Sequence, residues 1–111
     1  MTATNQVKAV SLSSHLEKIA FLAKSLSDEN RLRILLAVSG EKKAVNKVVE
    51  EVNLSQALVS HHLRELKRSL LVKVERSGPF VYYQMADGRI LEILEQLNLL
   101  AADLLATRKA F

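Results

Sequence analysis

Cysteine is absent from this 111-residue chain, as is tryptophan, and there is a single proline. Without a thiol there can be no disulfide, no zinc finger, no thiolate-bound metal or iron–sulfur cluster and no cysteine nucleophile. The three glycines, Gly40, Gly78 and Gly88, are too scattered for a phosphate-cradling loop or a dinucleotide fingerprint. No apolar run approaches the ~20 residues that span a bilayer. Met1 to Ser14 lacks the apolar stretch with basic flank of a signal peptide. These absences lead us to expect a soluble, cytoplasmic protein with no membrane partner. With 49% apolar and 25% charged residues, the composition is that of one globular domain and too apolar for a disordered chain.

What is present is a localised positive charge. The net charge is +4, from 16 basic and 12 acidic residues. Residues 1–30 carry three charges of each sign, and residues 77–111 carry three positive and four negative. Residues 31–76 carry ten positive and five negative, so the middle holds the whole imbalance. A basic centre between near-neutral ends suggests ends that pack and a middle that meets a polyanion. A solvated surface with a small surplus of lysine would give the same count.

Hydrophobic spacing then orders the chain. Residues 1–11 are polar, and a flexible N-terminus is expected there. Leu12, Leu16, Ile19, Ala23 and Leu26 step by 4, 3, 4, 3, one helical stripe, with the start at Ser11 or at Ser14, whose capping-box partner is Glu17. Ser27 is expected to cap a second helix with Asp28 and Glu29 in its first turn, an apolar face of Leu32, Leu35 and Leu36, and Gly40 at its end. Val45, Val48, Val49 and Val52 predict a short third helix, which only tertiary packing can hold because valine is a weak helix former. Asn53 suits a left-handed stop and Ser55 caps the next helix at once, a helix-turn-helix signal. Leu58, Val59, Leu63, Leu66 and Leu70 are expected on its buried face. After Leu71 the period changes to 2, giving a hairpin of strands around the turn Ser77-Gly78-Pro79. Asp87 can cap a last helix whose apolar residues, from Ile90 to Leu105, cover more than one face. So small a chain has little core to bury that surface, and a subunit interface is the expected cover.

The DNA-reading candidate is the stretch Ser55-Gln56-Ala57-Leu58-Val59-Ser60-His61-His62-Leu63-Arg64. The N-terminal part of such a second helix enters the major groove. Gln56, Ala57, Ser60, His61 and Arg64 are expected to face out. Glutamine can bond an adenine edge in two places, and serine and histidine can reach base edges or phosphates. Arg64, Lys67, Arg68 and Arg76 suit phosphates, which set register without reading sequence. Lys42, Lys43 and, beside the hairpin turn, Lys73 and Ser77 are further candidates. His61 and His62 are neighbours on a helix, about 100° apart, and cannot chelate one ion together. His61 fits DNA contact, His62 a structural role and His15 a plain surface position. No nucleophile–base pair, metal cluster or phosphate loop points to an enzyme.

Three motifs, in order, carry a family resemblance. They are Leu26-Ser27-Asp28-x-x-Arg31-Leu32-Arg33-Ile34-Leu35, then Leu54-Ser55-Gln56-x-x-Val59-Ser60-His61-His62-Leu63-x-x-Leu66, then Val72 through Val81-Tyr82-Tyr83. Over residues 12–105 the chain resembles the ArsR/SmtB winged-helix repressors. The resemblance implies a mainly α fold with a small β-hairpin in the order ααααββα, a homodimer built from the first and last helices, operator binding to double-stranded DNA and release by an inducer. The expected organisation is a single domain over 12–111, with the helix-turn-helix at 45–70, the wing at 72–86 and dimerisation helices at 12–26 and 88–108. Family members touch DNA through the positions matching Gln56, Ala57, Ser60 and His61, with Ala57 standing where serine is frequent.

The departures are informative. Leu70 stands where the family has a glycine ending the recognition helix, and Pro79 where the wing tip is basic. The family's Cys-x-Cys pair is matched by Ala44 and Asn46. Its interfacial site of two carboxylates and two histidines is matched by Asp87, Arg89, Leu100 and Asp103, so both histidines are gone and Arg89 puts a cation where a metal would sit. No metal and no cofactor is expected on this ligand chemistry. The reading is a dimeric repressor on an inverted repeat. A winged-helix module that binds protein, or a regulator sensing a small organic inducer at the dimer interface, are the alternatives.

Overall fold

The computed structural model describes residues 3–106 and Arg108. Its elements are α1 (Ala3–Ser13), α2 (Leu16–Ser25), α3 (Glu29–Ala37), α4 (Val45–Val52), α5 (Gln56–Arg68), β1 (Val72–Ser77), β2 (Phe80–Met85) and α6 (Arg89–Leu105). From α2 onward the order is the expected ααααββα, preceded by the additional helix α1. Residues 3–11, expected to be flexible, are helical; residues 1 and 2, and residues 107 and 109–111 of the expected domain, lie outside the described set.

The packed centre is built by α3, α4, α5 and the hairpin. Ile34, Leu35 and Val38 of α3 and its C-cap meet Val48 of α4 and Val59, Leu63 and Leu66 of α5, all fully buried. The valines of α4 are thus held by tertiary packing, which overrides their weak propensity. The apolar face expected on α3 is rotated. Ile34 and Val38 are buried, whereas Leu36 is exposed, because α3 meets both α4 and α5.

Several helix ends differ from expectation. Asp28, not Ser27, caps α3, its Oδ1 accepting the Arg31 N–H at 2.9 Å. The helix closes at Val38, ahead of Gly40. Ser14 caps nothing; its hydroxyl donates to the Ser11 carbonyl, and α2 begins after His15. Asn53 does take the left-handed conformation (φ 54°, ψ 45°) that ends α4.

Leu70, expected in the buried face of α5, is 79% exposed with φ +66°. Its N–H donates to the Lys67 carbonyl, and the Leu71 N–H to the Leu66 carbonyl. These two bonds make a Schellman cap. The turn swings Leu70 out while Leu71 packs back beside Leu66 in the core.

The hairpin pairs Val72 with Met85 through Ser77 with Phe80, leaving Gly78 and Pro79 as a two-residue turn. Gly78 has φ +59°, which a first turn residue of type II′ requires. Two strands alone are marginal. Here Lys43 adds a short third edge by exchanging backbone bonds with Tyr83 at 2.8 and 2.9 Å, and the Met85 N–H donates to the Val38 carbonyl.

Helices α1, α2 and α6 lie outside this centre. The described residues of α1 and α2 are exposed or half-buried throughout, and α6 buries only Ile90. The radius of gyration is 16.7 Å, with extents of 54 × 36 × 21 Å. A compact chain of this length would have a radius of about 13 Å. Among the described residues, no helix is long and apolar enough to cross a membrane.

Candidate nucleic-acid interface

The turn between α4 and α5 takes three residues. Asn53 reverses the chain, Leu54 packs against the core, and Ser55 caps α5 by accepting the Leu58 N–H on its Oγ at 3.1 Å. This fixes the start of α5 at Gln56. Val59, His62, Leu63 and Leu66 then point inward, pinned on the core. Gln56, Ala57, His61, Arg64, Lys67 and Arg68 are exposed on the opposite side, and Ser60 is half-buried between the two faces. A rigid helix therefore presents the amide, hydroxyl and imidazole groups of its first two turns together, with guanidinium and ammonium groups further along.

The cations differ in availability. Arg64, Lys67 and Arg76 enter no ion pair among the described residues. Arg68 pairs with Glu65 at 3.0 Å, an exposed contact of the kind worth well under about 1 kcal/mol and easily exchanged for a phosphate. Lys42 and Lys43 are tied more closely. Lys42 Nζ lies 2.9 Å from Glu75 and 5.2 Å from the Tyr82 ring centre, and the largely buried Lys43 lies 2.7 Å from Glu51. Both lysines brace the wing against the helices. Arg76 lies on β1 one residue before Ser77, and the wing tip itself presents Pro79 and the exposed Phe80.

Sequence reasoning missed a polar cluster behind the exposed face of α5. His62 is 5% exposed, and its Nε2 lies 3.8 Å from Oδ1 of Asp28, the cap of α3. Arg31 donates from Nη1 to the Ser25 carbonyl at 3.3 Å. Asp28 thus links the cap of α3 to the middle of α5, and Arg31 ties α3 to the end of α2. Burial holds the His62 imidazole below its ordinary pKa, against the opposing pull of Asp28. The Arg31 N–H donated to Asp28 holds that carboxyl below the usual range. The signal lay in the spacing: His62 is three residues after Val59 and four before Leu66, on the buried stripe.

At the other end of the molecule, Asp87 accepts the Arg89 backbone N–H at 2.9 Å and pairs with its guanidinium at 2.7 Å. The side-chain bonds from Arg89 come first in lowering the Asp87 carboxyl to about 2, and the same contact raises Arg89. Gly88 is the formal cap residue of α6, and Asp87 satisfies one of its free N–H groups. Among the described residues, no group of three or more histidine, cysteine or carboxylate side chains could hold a metal ion.

Comparison with known proteins agrees with this geometry. Residues 28–74, from the α3 cap into β1, match the model of the bacterial regulatory protein, arsR family. The HTH-type transcriptional regulator MJ1325 of Methanocaldococcus jannaschii is 34% identical over 83 residues, covering 74% of this chain and 93% of the relative. The transcriptional repressor SmtB homolog of a Synechocystis species is 31% identical over 81 residues, covering 73% of this chain and 61% of that longer protein. Among solved structures, the homodimeric winged helix-turn-helix DNA-binding domain Mb0332 of Mycobacterium bovis superposes with a TM-score of 0.71 at 24% identity, covering 83% of this chain and 85% of that one. These relatives are transcriptional regulators rather than enzymes.

Proposed function

The chain belongs to the ArsR/SmtB family of winged helix-turn-helix DNA-binding transcriptional regulators, and from that premise we propose that it is a dimeric repressor reading an inverted-repeat operator. One observation carries the reading. The face of α5 opposite the core presents Gln56, Ala57, His61 and Arg64, with Ser60 at its half-buried edge, on a helix whose other side packs into the core.

In the proposed complex, α5 of each copy enters a major groove, and the two half-sites lie about one helical turn apart. Gln56 and His61 read base edges, Ala57 offers apolar contact, and Ser55 and Ser60 bond bases or phosphates. Arg64, Lys67, Arg68 and Arg76 neutralise phosphates and set the register. The exposed apolar faces of α2 and α6 are the dimer surface, as an unpartnered face of this size requires. The homodimeric state of the structurally similar mycobacterial domain supports this assembly. Sensing proceeds without a Cys-x-Cys or paired-histidine metal site, because Ala44, Asn46, Arg89 and Leu100 are poor metal donors. An organic inducer at the interface is compatible with this donor set.

The test starts from a duplex enriched out of a random-sequence pool by the protein itself. Affinity for it should exceed that for random duplex by about three orders of magnitude or more. Gln56→Ala or His61→Ala should narrow that ratio by roughly tenfold or more. Arg64→Ala or Lys67→Ala should weaken both duplexes alike and flatten the salt dependence. Equal affinity for enriched and random duplex would refute sequence-specific repression.

A further inference from the structure

Leu70 combines a strained backbone with an exposed apolar side chain. Its φ of +66° is a conformation that suits glycine and costs an L side chain energy. The Schellman bonds at the end of α5 would form equally well with glycine there. With 79% of the residue exposed, little inside the chain offsets the strain.

The surroundings indicate what does. Leu70 walls an open groove of about 820 Å³ between α2, the end of α5 and the start of α6. Its apolar lining comes from Phe21, Leu22, Leu71, Ile90 and Ile93, and Phe21 and Ile93 are more than half exposed. Helical spacing carries the apolar stripe on from the lining residue Ile93 to the exposed Leu97 and Leu100 of α6, and from Leu22 back to the exposed Ile19 of α2. Its charged groups are Glu17 and Lys18 on α2, Asp87 just before α6 and Arg89 at its start, two of each sign. A surface for DNA carries surplus cations, as α5 does. A balanced rim around an apolar floor suits a patch that meets its own copy across a two-fold axis.

We propose that Leu70 is a dimer anchor, seated against the α2–α6 face of a second copy of this chain, so that each recognition helix has its C-terminal end fixed by the partner. The proposal rests on the dimer reading above and adds a residue to it that neither α2 nor α6 contains. It also gives the strained leucine a role. In that role the side chain couples the dimer arms to the spacing of the two proposed DNA-reading helices.

Sedimentation equilibrium on the wild type, Leu70→Gly, Leu70→Asn and Leu70→Met tests this. Glycine and asparagine suit the left-handed backbone but remove the apolar side chain, whereas methionine keeps its volume. The wild type should be dimeric. Leu70→Gly and Leu70→Asn should raise the dimer dissociation constant by at least about tenfold, the loss expected for one buried leucine per copy. Leu70→Met should stay close to wild type, and the far-UV circular dichroism of all four should coincide. Affinity for the enriched duplex should fall along with dimerisation. If Leu70→Gly and Leu70→Asn dimerise as tightly as the wild type or more tightly, relief of strain is the only effect and the anchor is refuted. A wild type that stays monomeric at about 100 μM would instead refute the homodimer reading, and the anchor with it.

Discussion

The centre and the arms of this molecule solve opposite problems. In the centre, α3, α4, α5 and the hairpin bury seven side chains completely, and side-chain caps at Asp28 and Ser55 close the starts of α3 and α5. In the arms, α2 and α6 hold a similar wealth of leucine and isoleucine, yet only Ile90 is buried. Composition alone does not separate these regions; placement does. The basic surplus lies over the centre, on α5 and the wing, while the arms are nearly neutral. The centre thus buries its own apolar side and presents a basic face, whereas in the proposed dimer the arms supply half of an interface.

The sharpest way to break this contrast is to shave leucines from each region. Leu63→Ala in the centre should cost about 2–5 kcal/mol of folding stability, measured by urea unfolding. Leu97→Ala, half exposed on α6, should cost the isolated chain little yet weaken dimerisation severalfold by sedimentation. Equal losses of folding stability would erase the distinction. A smaller effect is expected at the cap of α5. Ser55→Ala removes the acceptor for the Leu58 N–H and should lower stability by about 1 kcal/mol.

The pH dependence of the two regions should differ as well. Buried His62 has a lowered pKa, so the unfolded chain takes up that proton first. Its contribution to stability is complete above its ordinary value of 6.5 and declines as pH falls from there toward its lower folded pKa. His62→Gln should flatten the stability profile in this window; an unchanged slope would contradict burial of the neutral ring. Asp87, in the arms, is lowered from 3.8 to about 2, so its contribution is lost only as pH falls between those values. The smallest predicted change is that Arg89→Ala returns the Asp87 carboxyl toward 3.8, visible by NMR titration with little change in fold.

Local chemistry was the most legible in the sequence. The left-handed stop at Asn53, the cap at Ser55 and the turn at Gly78-Pro79 depend on near neighbours only, and each stands where expected. The outward set Gln56, Ala57, His61 and Arg64 followed from helical spacing once that start was fixed. Leu70 was misassigned because its spacing matches the buried stripe; the glycine that ordinarily marks the end of such a helix is absent. Lys42 and Lys43 were indistinguishable from free cations, since Glu75 and Glu51 reach them only through tertiary contact. The His62–Asp28 contact spans α5 and α3 and has no local signature. Helix α1 lacks a pronounced apolar stripe, so periodicity could not announce it.

The most direct measurement is the mass, by light scattering, of the complex with the enriched duplex, repeated on the same duplex with one half-site scrambled. Two chains of 12.4 kDa on the intact duplex, and binding at least about tenfold weaker to the scrambled one, are predicted. One chain per duplex, bound equally well to both, would contradict the account.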